Sequence, residues 1–313
     1  MPASRRPLDM KQRGARVIAA VATLSFVGAC TTALGVDFEG RLRANASDAG
    51  AEAGDAGANV DLTWSRWEAS GDIPRGLAKN GDIVTDPTTG LVWPVKYDPS
   101  PVTFDDAPAR CTALRTGGFD DWRVPTRIEL VSIVKYIEVG PATDSIFDDT
   151  PADVFWTSSR AAASPDEGYA IDFQEGAVQT EGVRTSHWLR CVRAGRRIQN
   201  GPDYRFVVGA GTVFDRVTNL TWQIDVAADA TFSEALAACQ VNAARLPTLH
   251  ELHTLVDERV PFRALAAALR IGPTMLTWSS PNESLDTVWA IDFTAGTTRR
   301  RQNGERAAVR CVR

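Results

Sequence analysis

The run His250-Glu251-Leu252-His253 sets two imidazoles beside a carboxylate, the side-chain set of a zinc site. The hydrolytic signature H-E-x-x-H needs its histidines at i and i+4, so that both fall on one helical face. Here they stand at i and i+3, and Glu251 has a structural use given below, so no metal is assigned. Ser158-Ser159 and Ser279-Ser280 lie just after a Trp. A nucleophilic serine needs a base and an oxyanion hole, yet the sequence has no G-x-S-x-G, and the expected use of these hydroxyls is to pair with backbone in a strand. Asp105-Asp106, Asp120-Asp121 and Asp148-Asp149 offer the oxygens calcium takes, but such pairs more often cap helices or line solvated loops. No cofactor is therefore expected, with calcium the one to test. No catalytic residue is assigned, and the chain is read as a non-enzyme.

Arginine gives a stronger signal. Arg184, Arg190, Arg193, Arg196 and Arg197 crowd residues 182–197, and Arg299, Arg300, Arg301, Arg306, Arg310 and Arg313 crowd residues 298–313. Guanidinium forks match sulfate, carboxylate and phosphate bidentately. Arg299-Arg300-Arg301 is the likeliest functional cluster by position, with Arg306 and Arg184 beside it. Arg190 and Arg310 are expected to pair with Asp172 and Asp292. Trp122 is a candidate platform for stacking on a sugar, with burial in the core as the alternative reading.

These residues recur in a fixed order. The first copy reads DPTTGLVW (86–93), FDDAPARC (104–111), RVPTRIEL (123–130), FWTSS (155–159), YAIDFQEG (169–176) and RCVR (190–193); the second reads DRVTNLTW (215–222), FSEALAAC (232–239), RLPTLHEL (245–252), LTWSS (276–280), WAIDFTAG (289–296) and RCVR (310–313). Glu129 to Trp156 spans the same interval as Glu251 to Trp278, and Asp172 to Cys191 the same as Asp292 to Cys311. A tandem repeat is the reading. The second copy lacks the stretch GGFDDW (117–122).

The elements that must position these side chains follow from pattern. FDDAPARCTAL and FSEALAACQ space apolar residues three and four apart, as helices do, with Thr103 and Thr231 as candidate N-caps. Thr126 with Glu129, and Thr248 with Glu251, form T-x-x-E capping boxes that should open a second helix in each copy. The later blocks alternate as antiparallel strands, and Asn303-Gly304 signals a hairpin. Cys111, Cys191, Cys239 and Cys311 allow three pairings. The repeat favours Cys111 with Cys191 and Cys239 with Cys311, each closing a loop of roughly 70–80 residues and contributing on the order of 4 kcal/mol.

The chain has 313 residues, 44% hydrophobic and 23% charged, with nine Trp, enough for about two cores. A net charge of −5 argues against nucleic acid as a partner. Arg5, Arg6, Lys11, Arg13 and Arg16 precede an apolar run over 17–27, too short to span a bilayer and suited to a secretory signal. Val27-Gly28-Ala29-Cys30 resembles a lipobox, which makes 1–29 a lipoprotein signal peptide and Cys30 the lipidated residue. Residues 30–60 are an Ala-, Gly- and Asp-rich tether with too little apolar surface to order. The domains are then 61–197 and 198–313. Export implies an oxidising compartment for the remaining cysteines.

The order T-G-L-x-W, helix with Cys, D-W-R-x-P-T-x-x-E-L, W-T-S-S, A-I-D-F and R-C-V-R resembles the Lcl C-terminal domain family of bacterial exported and surface proteins. The likeness covers roughly 80–193 and 205–313. It is fuller in the first copy, where Asp121-Trp122-Arg123 is intact, than in the second, where only Arg245 remains. The resemblance implies a C-type-lectin-like fold, a disulfide from first helix to last strand, and a binding module with acidic or sulfated glycans as ligand class. The calcium motifs E-P-N, Q-P-D and W-N-D of sugar-binding lectins are absent, and Pro281-Asn282-Glu283 has similar residues in another order. The cysteine-to-formylglycine oxidase of related fold needs spare thiols, which paired cysteines do not supply.

The expectation is an α+β protein of two tandem C-type-lectin-like domains, each with two helices, an antiparallel sheet and one disulfide. It would be anchored at the outer membrane by lipid alone and bind an envelope or extracellular glycan without catalysis. A protein-interaction or scaffolding role in an envelope complex is the alternative.

Overall fold

The computed structural model describes residues 76–147, 149–194, 205–225, 227–241, 243–269, 275–280 and 287–313. The signal peptide, Cys30, the tether, the 197/198 boundary, Arg196, Arg197, Asp148 and Pro281-Asn282-Glu283 lie outside the described residues.

The first repeat runs β1 (Ala78–Asn80), β2 (Ile83–Thr85), β3 (Leu91–Pro94), β4 (Asp98–Val102), α1 (Ala107–Ala113), α2 (Arg127–Val131), β5 (Val154–Arg160), β6 (Glu167–Asp172), β7 (Ala177–Gly182), β8 (His187–Leu189) and β9 (Arg193–Ala194). The second runs β10 (Phe206–Val208), β11 (Thr212–Asp215), β12 (Leu220–Gln223), β13 (Ala227–Ala230), α3 (Phe232–Val241), α4 (Leu249–His253), β14 (Leu276–Trp278), β15 (Thr287–Asp292), β16 (Thr297–Gln302) and β17 (Ala307–Val309). Each repeat makes one small sheet, β1-β2-β3-β9 or β10-β11-β12, and one five-stranded sheet, β4-β8-β5-β6-β7 or β13-β17-β14-β15-β16. Inside each five-stranded sheet one pair is parallel, β5 with β8 and β14 with β17.

This overturns the α+β expectation of two C-type-lectin-like domains with two helices each. The protein is mostly β, and its four sheets form a four-bladed, propeller-like arrangement. α2, α3 and α4 start where the sequence places them, and all four helices are short, at 7, 5, 10 and 5 residues. Both T-x-x-E boxes close as expected, with Thr126 and Thr248 accepting from the N3 amide and Glu129 and Glu251 reaching back. One turn later the Ser132 and Thr254 hydroxyls donate to the carbonyls of Glu129 and Glu251, both at 2.6 Å. That bond occupies a carbonyl at the helix C-terminus, where the chain leaves the helical path. Thr231 also acts as a cap, since Glu234 Oε2 accepts from its amide at 2.9 Å. Thr103 does not: α1 begins later, with Asp106 as N-cap and Thr103 donating to it.

The β2–β3 and β11–β12 hairpins each turn on a buried aspartate. Asp86 accepts from the Thr88 amide and the Thr89 hydroxyl, and Asp215 from the Val217 amide and the Thr218 hydroxyl. The β6–β7 and β15–β16 turns need glycine. Gly176 and Gly296 have φ of 88° and 69°, and a Cβ there would stand 2.5 and 2.6 Å from Val134 and Val256.

The core crosses the repeats. Trp93, Phe155 and Ile171 share one buried cluster with Trp222, Leu252 and Trp289. Edge strands β7 and β16 meet across the repeat boundary, where the Val178 amide donates to Thr298 Oγ1 at 2.8 Å. The described residues of both repeats therefore belong to one compact unit.

Candidate functional site

Both disulfides take the within-repeat pairing, Cys111–Cys191 and Cys239–Cys311. The R-x-P-T-x-x-E block is bolted to the same closing segment. Arg123 forks onto Glu129 with two bonds of 2.7 Å, and Arg245 onto Glu251 at 2.8 and 2.7 Å. The same carboxylates serve the capping boxes, so each Glu satisfies an Arg and a helix N-terminus at once. Arg123 and Arg245 also bridge by backbone to Val192 and Val312, inside R-C-V-R. Trp156 and Trp278 donate their indole N–H to the carbonyls of Val102 and Ala230. The Ser158 and Ser280 amides reach the carbonyls of Pro125 and Pro247. Ser159 Oγ accepts from the Arg127 amide, and Ser279 Oγ donates to the Trp289 carbonyl. The Ser159 and Ser279 hydroxyls thus pair with backbone, Ser159 within β5 and Ser279 just past the end of β14.

The structure corrects the pairing expected of Arg190 and Arg310. Neither reaches Asp172 or Asp292. Arg190 is 1% exposed and donates to the carbonyls of Pro94 and Val95 and to Thr150 Oγ1, with its guanidinium over Phe147. Arg310 donates to the carbonyls of Gln223 and Ile224. Burial pulls the two guanidiniums down to about 9 and about 10, so both remain charged at neutral pH. They lock the R-C-V-R segments to the exits of the β2–β3 and β11–β12 hairpins, with both side chains buried.

Trp122 is likewise a framework residue. It is 2% exposed, donates to the Thr116 carbonyl at 3.2 Å and meets Phe119 edge to face, so it offers no platform for a sugar. Arg193 lies 3.6 Å over the Phe119 ring and forks onto Asp121, whose carboxyl that hydrogen bond holds below the usual carboxylate range.

The remaining arginines reach the surface. Arg299 faces Asp292 at 3.1 Å, Arg301 pairs with Glu305, and Arg306 pairs with Glu234 at 3.3 Å and donates to the Asp229 carbonyl. Arg300 crosses to Glu175 of the first repeat at 2.7 Å while stacking on Trp289. Arg184 is exposed on the turn after β7. On the edge strand β16, Arg299 and Arg301 flank Arg300, which pairs across the sheet with Trp289. Arg299 and Arg301 thus share one face of β16, Arg306 follows on the turn into β17 with its partners on α3 and β13, Arg300 belongs to the joint between repeats, and Arg184 stands apart on the other repeat.

The two histidines of the H-E-L-H run serve that same joint. His253 Nδ1 meets Arg127 at 2.9 Å, and Arg127 also donates to the His253 carbonyl and to Glu258. His250 Nε2 contacts the Val134 carbonyl at 3.1 Å. Among the described residues no three His, Cys, Asp or Glu side chains gather as a metal site requires. Sequence reasoning missed the Arg127–His253 contact because neither residue recurs in the other repeat.

One open cavity lies in the second repeat, about 360 Å³, lined by Thr212, Thr221, Gln223, Asp225, Ala244 and the Cys311–Arg313 segment. It sits on the face of the small sheet that the Trp122 segment covers in the first repeat.

No helix among the described residues is long and apolar enough to cross a membrane. No curated protein matches the chain significantly. The Lcl C-terminal domain matches residues 82–193 and 211–313, a domain of extracellular bacterial proteins with which the two disulfides agree. The chain belongs to the Lcl C-terminal domain family and carries two tandem copies of the domain.

Proposed function

We propose that the protein is a non-catalytic binding module of the bacterial cell exterior, held by a lipid on Cys30, and that it recognises acidic or sulfated glycans on the arginine edge of its second repeat. One observation carries the reading. The repeats share their framework, yet at one register they diverge in charge: Gln179, Thr180 and Glu181 on β7 become Arg299, Arg300 and Arg301 on β16. The packing of the shared framework does not call for that change. The carboxylates beside Arg301 and Arg306 are surface partners, the Arg299 guanidinium is itself exposed, and exposed ion pairs of this kind contribute about 0–1 kcal/mol each. A sulfate can therefore displace them at little cost and take the guanidinium fork bidentately.

A second reading rests on the same contacts. Paired with Asp292, Glu305 and Glu234, the arginines make a mixed-charge edge that also fits a protein partner. Chromatography on immobilised heparin separates the two. Retention that falls steeply with salt, and is lost on changing Arg299, Arg301 and Arg306 to Ser with Arg300 spared, is the expected result. Unretained protein, with a stoichiometric protein co-purifying instead, would favour the second reading. The anchor is checked by palmitate labelling, which Cys30→Ser should abolish; an unlabelled native protein would remove it.

A further inference from the structure

We propose that the cavity of the second repeat is a binding site for a planar aromatic ring of the indole type, occupying the place that the chain fills with its own Phe119 and Trp122 in the first repeat. The strand registers align the two sites residue by residue. Val84 pairs with Trp93 and Val213 with Trp222, which makes Thr212 the counterpart of Ile83 and Thr221 that of Val92. Arg123 bridges Val192 and Arg245 bridges Val312, which makes Ala244 the counterpart of Trp122 and Arg313 that of Arg193. Five of the cavity's walls, Thr212, Thr221, Ala244, Cys311 and Arg313, are thus the equivalents of Ile83, Val92, Trp122, Cys191 and Arg193.

In the first repeat those positions are closed. Trp122 and Val92 share a buried cluster with the disulfide, and Ile83 and Phe119 pack against it. The Phe119 ring is capped by the Arg193 guanidinium. In the second repeat the loop carrying Phe119 is missing, and Trp is replaced by Ala. The backbone frame and the disulfide are kept, so the walls do not collapse into the space, and a volume near the low end of small-ligand pockets stays open.

The wall residues have changed with the occupant. Ile83 and Val92 are apolar, as a permanently filled core requires, whereas Thr212 and Thr221 add hydroxyls, and Gln223 and Asp225 stand where Pro94 and Lys96 do. A ring with an N–H or O–H finds acceptors there, and the Arg313 position supplies a cation for its face, as Arg193 does for Phe119. A purely apolar filler would leave the hydroxyls and the amide undersatisfied. The cavity's lining includes none of Arg299, Arg301 and Arg306, so the site does not share residues with the arginine edge.

Titration of the full chain with indole, N-acetyl-tryptophanamide and cyclohexylmethanol, followed by amide NMR, tests the proposal. Saturable shifts at Thr212, Thr221 and Gln223 with both aromatic probes, absent at Ile83 and Val92 and absent with the alicyclic alcohol, are expected. Ala244→Trp, which returns the first repeat's residue, should weaken binding at least about tenfold, and Ala244→Leu should weaken it less. The Arg299, Arg301 and Arg306 variant should bind the probes as the native protein does, so failure here and failure of the glycan reading are distinguishable. No saturable shift at Thr212 and Thr221, or unchanged affinity in a folded Ala244→Leu protein, would overturn the site.

Discussion

His253 stands in a dry core with a cation against one nitrogen. Arg127 has only hydrogens to give, so His253 Nδ1 accepts and Nε2 carries the ring hydrogen. Nε2 is buried without a hydrogen-bond partner, and the ring stacks on Tyr136. Burial first, then the charge of Arg127 and the neighbouring His250, hold His253 well below its ordinary value of 6.5. The folded protein keeps the ring neutral, while the unfolded chain takes up a proton below about pH 6.5. The stability that neutrality gives is complete above that pH and is lost as the pH falls below it, by up to about 1.4 kcal/mol per pH unit for one proton. Urea unfolding between pH 7 and pH 5 should show this slope, and His253→Gln, which keeps an acceptor for Arg127, should flatten it. An equal slope in the variant would mean that another group carries the acid sensitivity.

At the level of elements, one carboxylate performs two tasks in each repeat. Glu129 closes the box on α2 and takes the Arg123 fork while fully buried, and Glu251 does the same on α4 for Arg245. Glu129→Ala would remove the capping bonds and leave the Arg123 guanidinium without its carboxylate. The expected cost is about 3 kcal/mol, against about 1 kcal/mol for Thr126→Ala, which loses the cap alone. Thermal unfolding of the two variants checks the ratio, and equal losses would place the whole effect in the cap. The box itself was legible because Thr and Glu three residues apart before an apolar run have few other uses. The helix lengths were not, because they end on back-bonds from Ser132 and Thr254, and a hydroxyl at either position is compatible with a longer helix. Periodicity placed α3 over its observed span and began α1 too early, and with the two capping-box helices counted beside them a mostly β protein was read as α+β. The R-C-V-R cysteines were legible from the repeat. The partners of Arg190 and Arg310 were not, because backbone carbonyls leave no trace in residue type. Trp122 was offered as a stacking platform because its stretch occurs in one repeat only, with burial as the alternative; the structure takes the burial, and the residue is the lid of that repeat's core.

Across the whole molecule the repeats are separate in sequence and joined in structure. Leu130, Val134 and Tyr136 of the first share a buried cluster with Leu252, Leu255 and Trp289 of the second. The joint also holds Arg127 against His253, Tyr169 Oη on the Ala295 carbonyl, Val178 on Thr298 and Arg300 on Glu175. Cutting the chain between repeats would expose one side of this surface on each half. It would also strand Arg127, 1% exposed in the native fold, without its partners. Large apolar surface left in water costs about 25 cal/mol per Å², and small domains have little stability to spare. The intact protein should therefore unfold in a single cooperative transition in calorimetry, with both disulfides in place. A chain beginning at residue 205 should form the Cys239–Cys311 bond, because both ends lie within its own core cluster. It should nevertheless melt well below the full protein or self-associate through the uncovered Trp289 face. Co-expression with residues 76–194 should restore the higher transition, since the joint is made of side chains that need no covalent link between the halves. Two separate transitions in the intact protein, or a second repeat that melts alone at the same temperature, would show that the shared cluster is a contact between finished domains rather than a core they hold in common.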